Sequence, residues 1–191
     1  MLKMLYPYEY AESVFSIDYN KLYNKGYRGI IFDIDNTLVH HGEDSTEEID
    51  ELFKIIQNIG LKTFLLTDNS EERTKRFLKN IDSLYISDAK KPKVSNYLKA
   101  VEMMNVKKEE TLFIGDQIFR DIYGANRSGI DNILVEYLRY SDETKTGIRR
   151  NIEKIILRFY KLNKSCRNRL GDIYKKGDIV KDAVEQKQAF L

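Results

Sequence analysis

Two aspartates separated by one residue, Asp33 and Asp35, follow directly after an apolar segment. Residues 30–32 of that segment are Ile, Ile and Phe, a continuous apolar pattern that predicts a strand buried on both faces of a parallel sheet. In open α/β sheets, ligands bind at the carboxyl edge, where both aspartates would lie. Carboxylates on alternate residues of an extended segment point the same way and repel each other unless a cation lies between them or they share a proton. The pair therefore indicates a cation site at the end of a buried strand.

The neighbouring residue types favour a divalent cation that prefers oxygen ligands. No cysteine lies near the pair, and the nearest histidines, His40 and His41, come after the strand. Mg2+ fits such a site better than zinc or copper does. The same segment also fits a simple turn, in which Asp35, Asn36 and Thr37 act as turn and cap residues. For the two histidines we expect exposed loop positions, and contact with a substrate stays open.

Thr67 and Lys91 follow the next two predicted strands and are suited to binding an anion. Thr67 offers a hydroxyl, and the backbone N–H groups of Asp68 and Asn69 would lie at the start of a helix, where anions bind. Thr67 alone also fits a helix cap. Lys91 precedes Pro92, a residue favoured at the first position of a helix, so its ammonium group would reach the same sheet edge. A lysine cluster by itself is more often solvated surface.

Two more acidic residues, Asp116 and Asp121, come after a predicted strand that ends in Gly115. Asp121 is also explained by the preference of acidic side chains for the first turn of a helix. Because parallel strands present their carboxyl ends at one edge, all four segments would converge there. The predicted site uses Asp33, Asp35 and Asp116 for a metal, Thr67, Asp68 and Lys91 for a phosphate, and Asp121 in support.

The elements that would carry these residues alternate between strand and helix from residue 29 onward. The predicted strands are 29–34, 61–66, 84–86, 110–115 and 132–136, and the predicted helices are 45–59, 70–80, 92–104 and 118–128. Ser45 is the predicted cap of the first of these helices, with Glu48 three residues later. This alternation with short linkers favours a three-layer, Rossmann-like α/β fold with a parallel sheet flanked by helices.

Composition divides the chain into four predicted regions. Residues 1–27 form a tyrosine-rich lead-in that would pack on the core, with a short helix from Asp18 to Asn24 that Asp18 caps. Residues 28–138 form the α/β core. Residues 139–162 form a basic segment, and residues 163–191 a polar tail that we expect to be loosely held.

Charge is distributed unevenly along the chain of 191 residues, whose formal net charge is +2. Residues 1–138 hold 18 Lys and Arg against 23 Asp and Glu, a charge of −5, whereas residues 139–176 hold 12 against 4, a charge of +8. This asymmetry indicates a polyanionic partner, either an anionic membrane surface or nucleic acid. No apolar run is long enough to span a bilayer and the start is a poor signal peptide, so we expect a cytoplasmic location. The single cysteine, Cys166, is interpreted as an incidental thiol.

The basic segment contains a predicted amphipathic helix. Its apolar residues recur at helical spacing, and arginines and lysines lie elsewhere around it. The apolar set is Ile148, Ile152, Ile155, Ile156 and Phe159. We expect this face to cover the sheet or the lead-in, and the alternative is binding to an anionic lipid surface.

The order and spacing of the four site segments resemble the motifs of the haloacid dehalogenase superfamily of phosphohydrolases, across roughly residues 28–136. The matching stretches are Asp33-Ile-Asp-Asn-Thr-Leu, Thr67-Asp-Asn, Lys91-Pro and Gly115-Asp-Gln-x-x-x-Asp. The resemblance implies hydrolysis of a phosphomonoester with Mg2+ as cofactor. Too few residues separate the motifs for the inserted cap domain that many members carry, so the site would stay open.

The resemblance also implies a role for each matched residue. Asp33 would be the nucleophile that forms an aspartyl-phosphate, and Asp35 the general acid and base. Thr67 and Lys91 would bind the phosphoryl oxygens. Asp121 would orient Lys91 or a metal-bound water. The implied metal ligands are the Asp33 carboxylate, the backbone carbonyl of Asp35 and the Asp116 carboxylate.

A finer resemblance is to the YqeG-type group of subclass IIIA. It is carried by Pro7-x-x-Tyr in the lead-in, Ala-Lys-Lys-Pro at 89–92 and Lys-Thr-Gly-Ile-Arg-Arg at 145–150. That group is similar to phosphatidylglycerophosphate phosphatases, which implies a lipid phosphomonoester presented at the inner face of a membrane. One alternative is a capless phosphatase of a soluble, nucleic-acid or protein phosphomonoester. The other is a non-catalytic assembly factor that binds RNA or another partner. No pattern in the sequence indicates an oligomeric state.

Overall fold

One parallel sheet organises the protein, whose structure, a computed structural model, describes residues 2–140 and 147–175. The strands in that part of the chain are β1 (Glu9–Ala11), β2 (Gly29–Phe32), β3 (Lys62–Leu66), β4 (Leu84–Ile86), β5 (Thr111–Gly115) and β6 (Asp131–Val135). The α-helices are α1 (Tyr19–Asn24), α2 (Glu47–Asn58), α3 (Glu71–Phe77), α4 (Val94–Met104), α5 (Tyr123–Ser128) and α6 (Ile148–Leu162). The strand order is β1-β6-β5-β2-β3-β4, so β2 lies inside the sheet between β5 and β3. The predicted α/β fold with a parallel, helix-flanked sheet is confirmed.

Strand β2 is buried along its whole length, as its continuous apolar sequence predicts. Ile30, Ile31 and Phe32 have no exposed surface. In register, Phe32 lies opposite Leu65 of β3 and Ile114 of β5. The N–H of Asp33 still donates to the Ile114 carbonyl at 3.0 Å, so the aspartate is held at the last rung of the ladder.

Several predicted helix starts differ from the observed ones by a few residues. Thr46 caps α2 by accepting a hydrogen bond from the Ile49 N–H, so the prediction of Ser45 as the cap is wrong. The Ser45 hydroxyl instead donates to the Asp50 carboxylate at 2.5 Å. Helix α4 begins at Val94, two residues after Pro92, which follows a cis peptide bond in the preceding turn. Two adjacent hydroxyl residues, such as Ser45 and Thr46, fit the pattern of a helix cap equally well, and so do adjacent turn residues. The sequence therefore leaves the first residue of such a helix ambiguous.

The helix predicted over residues 118–128 consists of two parts. A π-helical segment, Ile118–Ile122, comes directly before α5. π-Helical turns commonly occur at functional sites. Asp121 lies in this segment, at the carboxyl end of β5.

The lead-in adds an edge strand that the sequence analysis did not predict. Strand β1 pairs with β6, with Glu9 opposite Ile133. The predicted short helix is confirmed as α1, and the Asp18 side chain caps it by accepting a hydrogen bond from the Lys21 N–H. A strand of three residues is too short for its alternation of side chains to be recognised in the sequence. Its pairing is not apparent from the local sequence either, because its partner strand lies far along the chain.

Residues 164–175 lie against the lead-in, so the prediction of a loosely held tail is wrong for this part of it. Ile173 is fully buried, and its carbonyl accepts a hydrogen bond from the Asp18 N–H at 2.8 Å. The guanidinium of Arg169 lies 3.6 Å from the Tyr8 ring centroid. Cys166 is buried in an apolar cluster, as an incidental thiol would be. Residues 176–191, and residues 145 and 146 of the Lys-Thr-Gly-Ile-Arg-Arg stretch, lie outside the described residues.

Within residues 2–140 and 147–175, none of the helices combines the length and apolar character that crossing a membrane demands.

Candidate active site

The carboxyl edge of the sheet gathers four of the predicted site residues. Asp33 follows β2, Thr67 follows β3, Lys91 lies in the turn after β4, and Asp116 follows β5. All four are buried, with at most 7% of their surface exposed. Buried polar groups need partners. The contacts between these groups and their polar partners therefore define the geometry of the site.

The ammonium group of Lys91 bridges two carboxylates. Its Nζ lies 2.7 Å from Oδ1 of Asp33 and 2.7 Å from Oδ1 of Asp121. The other oxygen of Asp121 accepts a hydrogen bond of 2.9 Å from the Gln117 N–H, which fixes that carboxylate. Burial lowers the pKa of Lys91, but the carboxylates of Asp121 and Asp33 outweigh it and hold the pKa above its ordinary value. Lys91 therefore keeps its positive charge between these two carboxylates.

Asp68 holds Lys91 in place from the backbone side. Its Oδ1 accepts from the Lys91 N–H at 2.9 Å, and its Oδ2 forms an ion pair of 2.9 Å with Arg120. The Asp68 carboxylate is thus occupied by protein groups, and only its backbone remains for the predicted phosphate contact. The helix expected directly after it begins at Glu71 with Ser70 as its cap, so Thr67 is not a helix cap. The N–H groups after Thr67 belong to a loop.

Three buried carboxylates form the acidic centre of the site. One oxygen from each of Asp33, Asp116 and Asp121 lies within 4.8 Å of the others. Burial, the largest cause, raises the pKa of Asp116 to about 6, although Arg150 acts in the opposite direction. Burial also raises the pKa of Asp33, against the lowering effect of Lys91. Such a cluster, in which burial disfavours the charged carboxylates, is expected at a site that binds a cation, because the cation compensates their charge.

This donor set fits a hard divalent cation, because every side-chain ligand in it is a carboxylate oxygen. It differs from the predicted metal ligands Asp33, Asp35 and Asp116 in one member, since Asp121 replaces Asp35 in the cluster. Both oxygens of Asp121 already have protein partners, however, which are Lys91 and the Gln117 N–H. For Asp35 the predicted metal ligand is the backbone carbonyl and not the carboxylate.

The Asp35 carboxylate points to a loop outside the acidic cluster. Its Oδ2 lies 2.9 Å from Nδ1 of His41, and its Oδ1 lies 3.5 Å from Arg73 on α3. The Gly42 N–H donates to the same Oδ1 at 3.3 Å. The expectation of an exposed loop position holds for His41, whose side chain is 79% exposed, but His40 is half-buried and stacks on Tyr140 at 4.1 Å. A carboxylate between imidazole, guanidinium and solvent suits proton transfer.

Arg150 reaches the site from α6, and the sequence analysis did not predict this. Its guanidinium donates to the Asp116 carbonyl at 2.8 Å and forms an ion pair with the Asp116 carboxylate. The same side chain lies 3.1 Å from Oε2 of Glu153, also on α6. The other oxygen of Asp116 accepts from the Thr37 hydroxyl at 3.3 Å. Arg150 ends the Lys-Thr-Gly-Ile-Arg-Arg stretch that carries the finer resemblance, but nothing in that stretch assigns it to the site.

Glycine at position 115 is required by the packing of Asp121. A Cβ atom added to Gly115 would lie 2.6 Å from Cγ of Asp121, closer than nonbonded carbons approach each other. Because Asp121 fixes Lys91, this close approach links the end of β5 to the position of the ammonium group. The lack of a side chain at position 115 therefore allows the arrangement of Asp121 and Lys91.

A cavity of about 230 Å³ connects the predicted catalytic and phosphate-binding residues. It is lined by Asp33, Asp35, Asn36, His41, Thr67, Asp68, Asn69, Lys91, Gln117 and Arg120. Two predicted site residues, Asp116 and Asp121, do not line it. Asp121 contacts Lys91, which does line it, and Asp116 lies in the acidic cluster with Asp33. The ammonium group and the hydroxyl in the wall of the cavity can donate to a small anion such as a phosphoryl group, and a cation bound by the carboxylates would offset their repulsion of it.

Comparison with known proteins gives one family for this chain. The model of the haloacid dehalogenase-like hydrolases matches residues 43–129. A probable phosphatase from Bacillus subtilis, YqeG, is 36% identical over 159 residues, which cover 82% of this chain and 92% of that protein. The glyceraldehyde 3-phosphate phosphatase of Pyrococcus furiosus is 33% identical over 92 residues, which cover 44% of this chain and 38% of that enzyme.

A solved structure has a similar fold. An uncharacterized protein from Listeria monocytogenes serotype 4b superimposes with a TM-score of 0.50 at 16% identity. The superposition covers 71% of this chain and 99% of that one. At this identity the likeness concerns the fold alone.

Proposed function

The chain belongs to the haloacid dehalogenase-like hydrolases, and on this basis we propose that it hydrolyses phosphomonoesters with Asp33 as the nucleophile. The observation that carries the proposal is the bridge of Lys91 between Asp33 and Asp121, at 2.7 Å to each. It supports the proposal because a cation beside the candidate nucleophile would bind the phosphoryl group that Asp33 attacks. YqeG of Bacillus subtilis, which is similar to most of this chain, is named a probable phosphatase, and this supports the same reaction.

The first step uses the Asp33 carboxylate. One of its oxygens forms a bond to phosphorus while the bond from phosphorus to the ester oxygen breaks, which gives an aspartyl-phosphate and a leaving alkoxide. Asp35 donates a proton to that alkoxide, so the alcohol leaves neutral. Asp35 is a suitable donor because it lines the same cavity as Asp33 and has contacts with His41 and Arg73 that hold its position.

The second step restores Asp33. Asp35, now ionised, accepts a proton from a water molecule whose oxygen bonds to phosphorus, and the bond from phosphorus to the Asp33 oxygen breaks. Inorganic phosphate and the free carboxylate result. Lys91 and the Thr67 hydroxyl donate hydrogen bonds to the phosphoryl oxygens in both steps, which stabilises charge as it shifts between them.

We propose Mg2+ as the cofactor. Asp33 and Asp116 would hold it through carboxylate oxygens, Asp35 through its backbone carbonyl, and the cation would neutralise charge between nucleophile and phosphate. Asp121 positions Lys91, and Arg150 positions Asp116. In this proposal neither Asp121 nor Arg150 touches the substrate.

For the substrate we propose a lipid phosphomonoester, with phosphatidylglycerophosphate as the first candidate. Between Asp35 and Thr67 the structure has only a loop, α2 and β3, so no inserted domain encloses the site. An open site of this kind favours a phosphate carried on something large. A soluble phosphomonoester is the second candidate, because the similar archaeal enzymes are named glyceraldehyde 3-phosphate phosphatases.

Phosphate release by the purified protein tests the proposal. The assay compares the wild type with Asp33→Asn, with and without Mg2+, on phosphatidylglycerophosphate in mixed micelles and on a panel of soluble phosphomonoesters. Asp82→Asn is the matched control, because it makes the same chemical change at an exposed position. We expect release from the lipid that needs Mg2+, disappears in Asp33→Asn and is unchanged in Asp82→Asn.

The other outcomes each reject a specific part of the proposal. Turnover of soluble esters alone keeps the reaction and rejects the lipid substrate. Equal activity of Asp33→Asn and wild type rejects Asp33 as the nucleophile. Silence on all substrates, together with RNA affinity that falls steeply with salt and is unaffected by Asp33→Asn, supports the non-catalytic binding factor instead.

A further inference from the structure

A row of large apolar side chains lies exposed along α6. Ile148 is 81% exposed, Ile155 57%, Phe159 55% and Leu162 73%, and Ile152 lies beside them at 44%. These five residues, which we call the α6 stripe, fall on one side of the helix because they are three or four residues apart. The prediction that the apolar face of this helix covers the sheet or lead-in is wrong for four of its five residues, since only Ile156 is buried.

A different face of α6 attaches it to the core. Ile156 and Tyr160 are buried in a cluster with Tyr6, and the two tyrosine rings meet edge to face at 5.9 Å. Glu153 is also buried and accepts a hydrogen bond of 3.0 Å from the Phe119 N–H. The α6 stripe is thus not needed to hold the helix on the protein. Five large apolar side chains in one row exceed the isolated exposed residues that are normal for a protein surface.

The charge around the α6 stripe has one sign. Helical geometry puts Lys154 and Arg158 on one side of the stripe, and both are exposed. Arg149, also exposed, lies on the opposite side. The acidic residue of the helix, Glu153, is buried beside Arg150. The exposed surface of α6 therefore offers apolar side chains and positive charge and no carboxylate.

We propose that the α6 stripe docks on an anionic lipid bilayer, with the helix lying parallel to the surface. Large apolar side chains on one face with Lys and Arg beside them are the features of helices that lie in the membrane interface. Each cation near an anionic surface adds to the electrostatic attraction. Docking of two copies of this chain through the same stripe would instead bring together two segments of +8 charge each, which repel.

Docking through α6 would place at the lipid surface a helix that contacts the active site. The first turn of α6 contacts the site, because Arg150 binds Asp116. Ile148, two residues before it, is the most exposed member of the stripe. The inference depends on the proposed phosphatase function only where it concerns delivery of a lipid phosphate, and the docking itself does not depend on catalysis.

Cosedimentation of the full chain with vesicles tests the docking. Vesicles of phosphatidylglycerol mixed with phosphatidylcholine are compared with phosphatidylcholine alone, at low and at high salt. We expect binding to the anionic vesicles that weakens with salt, and little binding to the neutral ones. Ile155→Asp combined with Phe159→Asp removes the apolar contact, and Lys154→Glu combined with Arg158→Glu reverses the charge. Each pair should weaken binding at least about tenfold.

Matched changes on α4 serve as controls. Leu98 is 43% exposed, and Lys99 beside it is exposed too, so Leu98→Asp and Lys99→Glu repeat the chemistry away from the stripe. Both should bind vesicles as the wild type does. Circular dichroism confirms that all variants are folded. Turnover of a soluble phosphomonoester should be unchanged in the stripe variants, so loss of docking is distinguished from loss of the proposed reaction.

Three results would overturn the inference. The first is failure of the wild type to bind anionic vesicles. The second is binding that the stripe variants retain in full. The third is a dimer in analytical ultracentrifugation that Ile155→Asp with Phe159→Asp dissociates, because a second copy would then cover the stripe.

Discussion

Arg150 of α6 binds both the carboxylate and the backbone carbonyl of Asp116, the residue that follows β5. Helix α6 thereby contacts the acidic centre of the site through a side chain. The family model matches residues 43–129 and does not include α6. Metal binding and the position of α6 should consequently influence each other.

Replacing Arg150 tests this coupling. In Arg150→Ala a positive charge beside a metal ligand is lost, so Mg2+ should bind more tightly, by about 3- to 10-fold. Isothermal titration calorimetry measures the affinity independently of catalysis. Arg149→Ala, which removes an exposed arginine next to it, should leave the affinity unchanged. Weaker binding in Arg150→Ala would mean that orientation of Asp116 outweighs the charge.

The raised pKa of Asp116, about 6 against an ordinary 3.8, predicts a pH dependence for the metal-free protein. Between these values the folded state retains a proton that the unfolded state has lost, so this residue lowers stability as pH rises. Asp116→Asn cannot ionise and should gain stability relative to wild type from pH 4 to 6, then hold a constant difference. Chemical denaturation at several pH values in EDTA measures this difference. A constant difference from pH 4 onward would contradict the raised pKa.

Excess Mg2+ should reverse the effect in the wild type. A cation that binds only the folded, ionised site stabilises that state by mass action. The shift in melting temperature on adding Mg2+ should therefore be larger at pH 7.5 than at pH 5, and should be reduced in Asp116→Asn. A shift independent of pH would place the cation elsewhere.

Gly115→Ala should disturb Lys91 without changing any ionisable group. The new Cβ would clash with Cγ of Asp121 at 2.6 Å, which forces the carboxylate that fixes Lys91 to move. We expect turnover to fall at least about tenfold and stability to fall by about 1–3 kcal/mol, as in other overpacked sites. Gly147→Ala is the control, because a Cβ there would meet nothing within 4 Å. Kinetics and urea denaturation of both variants give the comparison.

Asp35→Asn should separate substrates by their leaving group. A general acid matters most when the leaving alkoxide is strongly basic, so alkyl phosphates should lose about 10²–10⁴-fold in turnover. p-Nitrophenyl phosphate, whose leaving group needs little protonation, should lose less in the first step. Steady-state rates on both esters measure the ratio. An equal loss on both would exclude protonation of the leaving group as the role of Asp35.

The sequence was sufficient to predict the core sheet and most of the site, because the residues concerned lie in short motifs next to buried strands. Asp33 and Lys91 meet in the structure although 58 positions separate them, since parallel strands bring their carboxyl ends together. Arg150 and the edge strand β1 were not predictable in the same way. Each acts through a partner far along the chain, and the local pattern around each fits other roles equally well.

The pairing of β1 with β6 determines when this protein can finish folding during its synthesis. Glu9 lies opposite Ile133, so the lead-in leaves the ribosome long before its partner strand exists. Contacts this far apart in sequence form slowly, because a long loop must close first. Until then β1 has no partner, and an unpaired strand is the kind of surface on which other chains add and aggregation begins. This part of the nascent protein is the one we expect chaperones to protect.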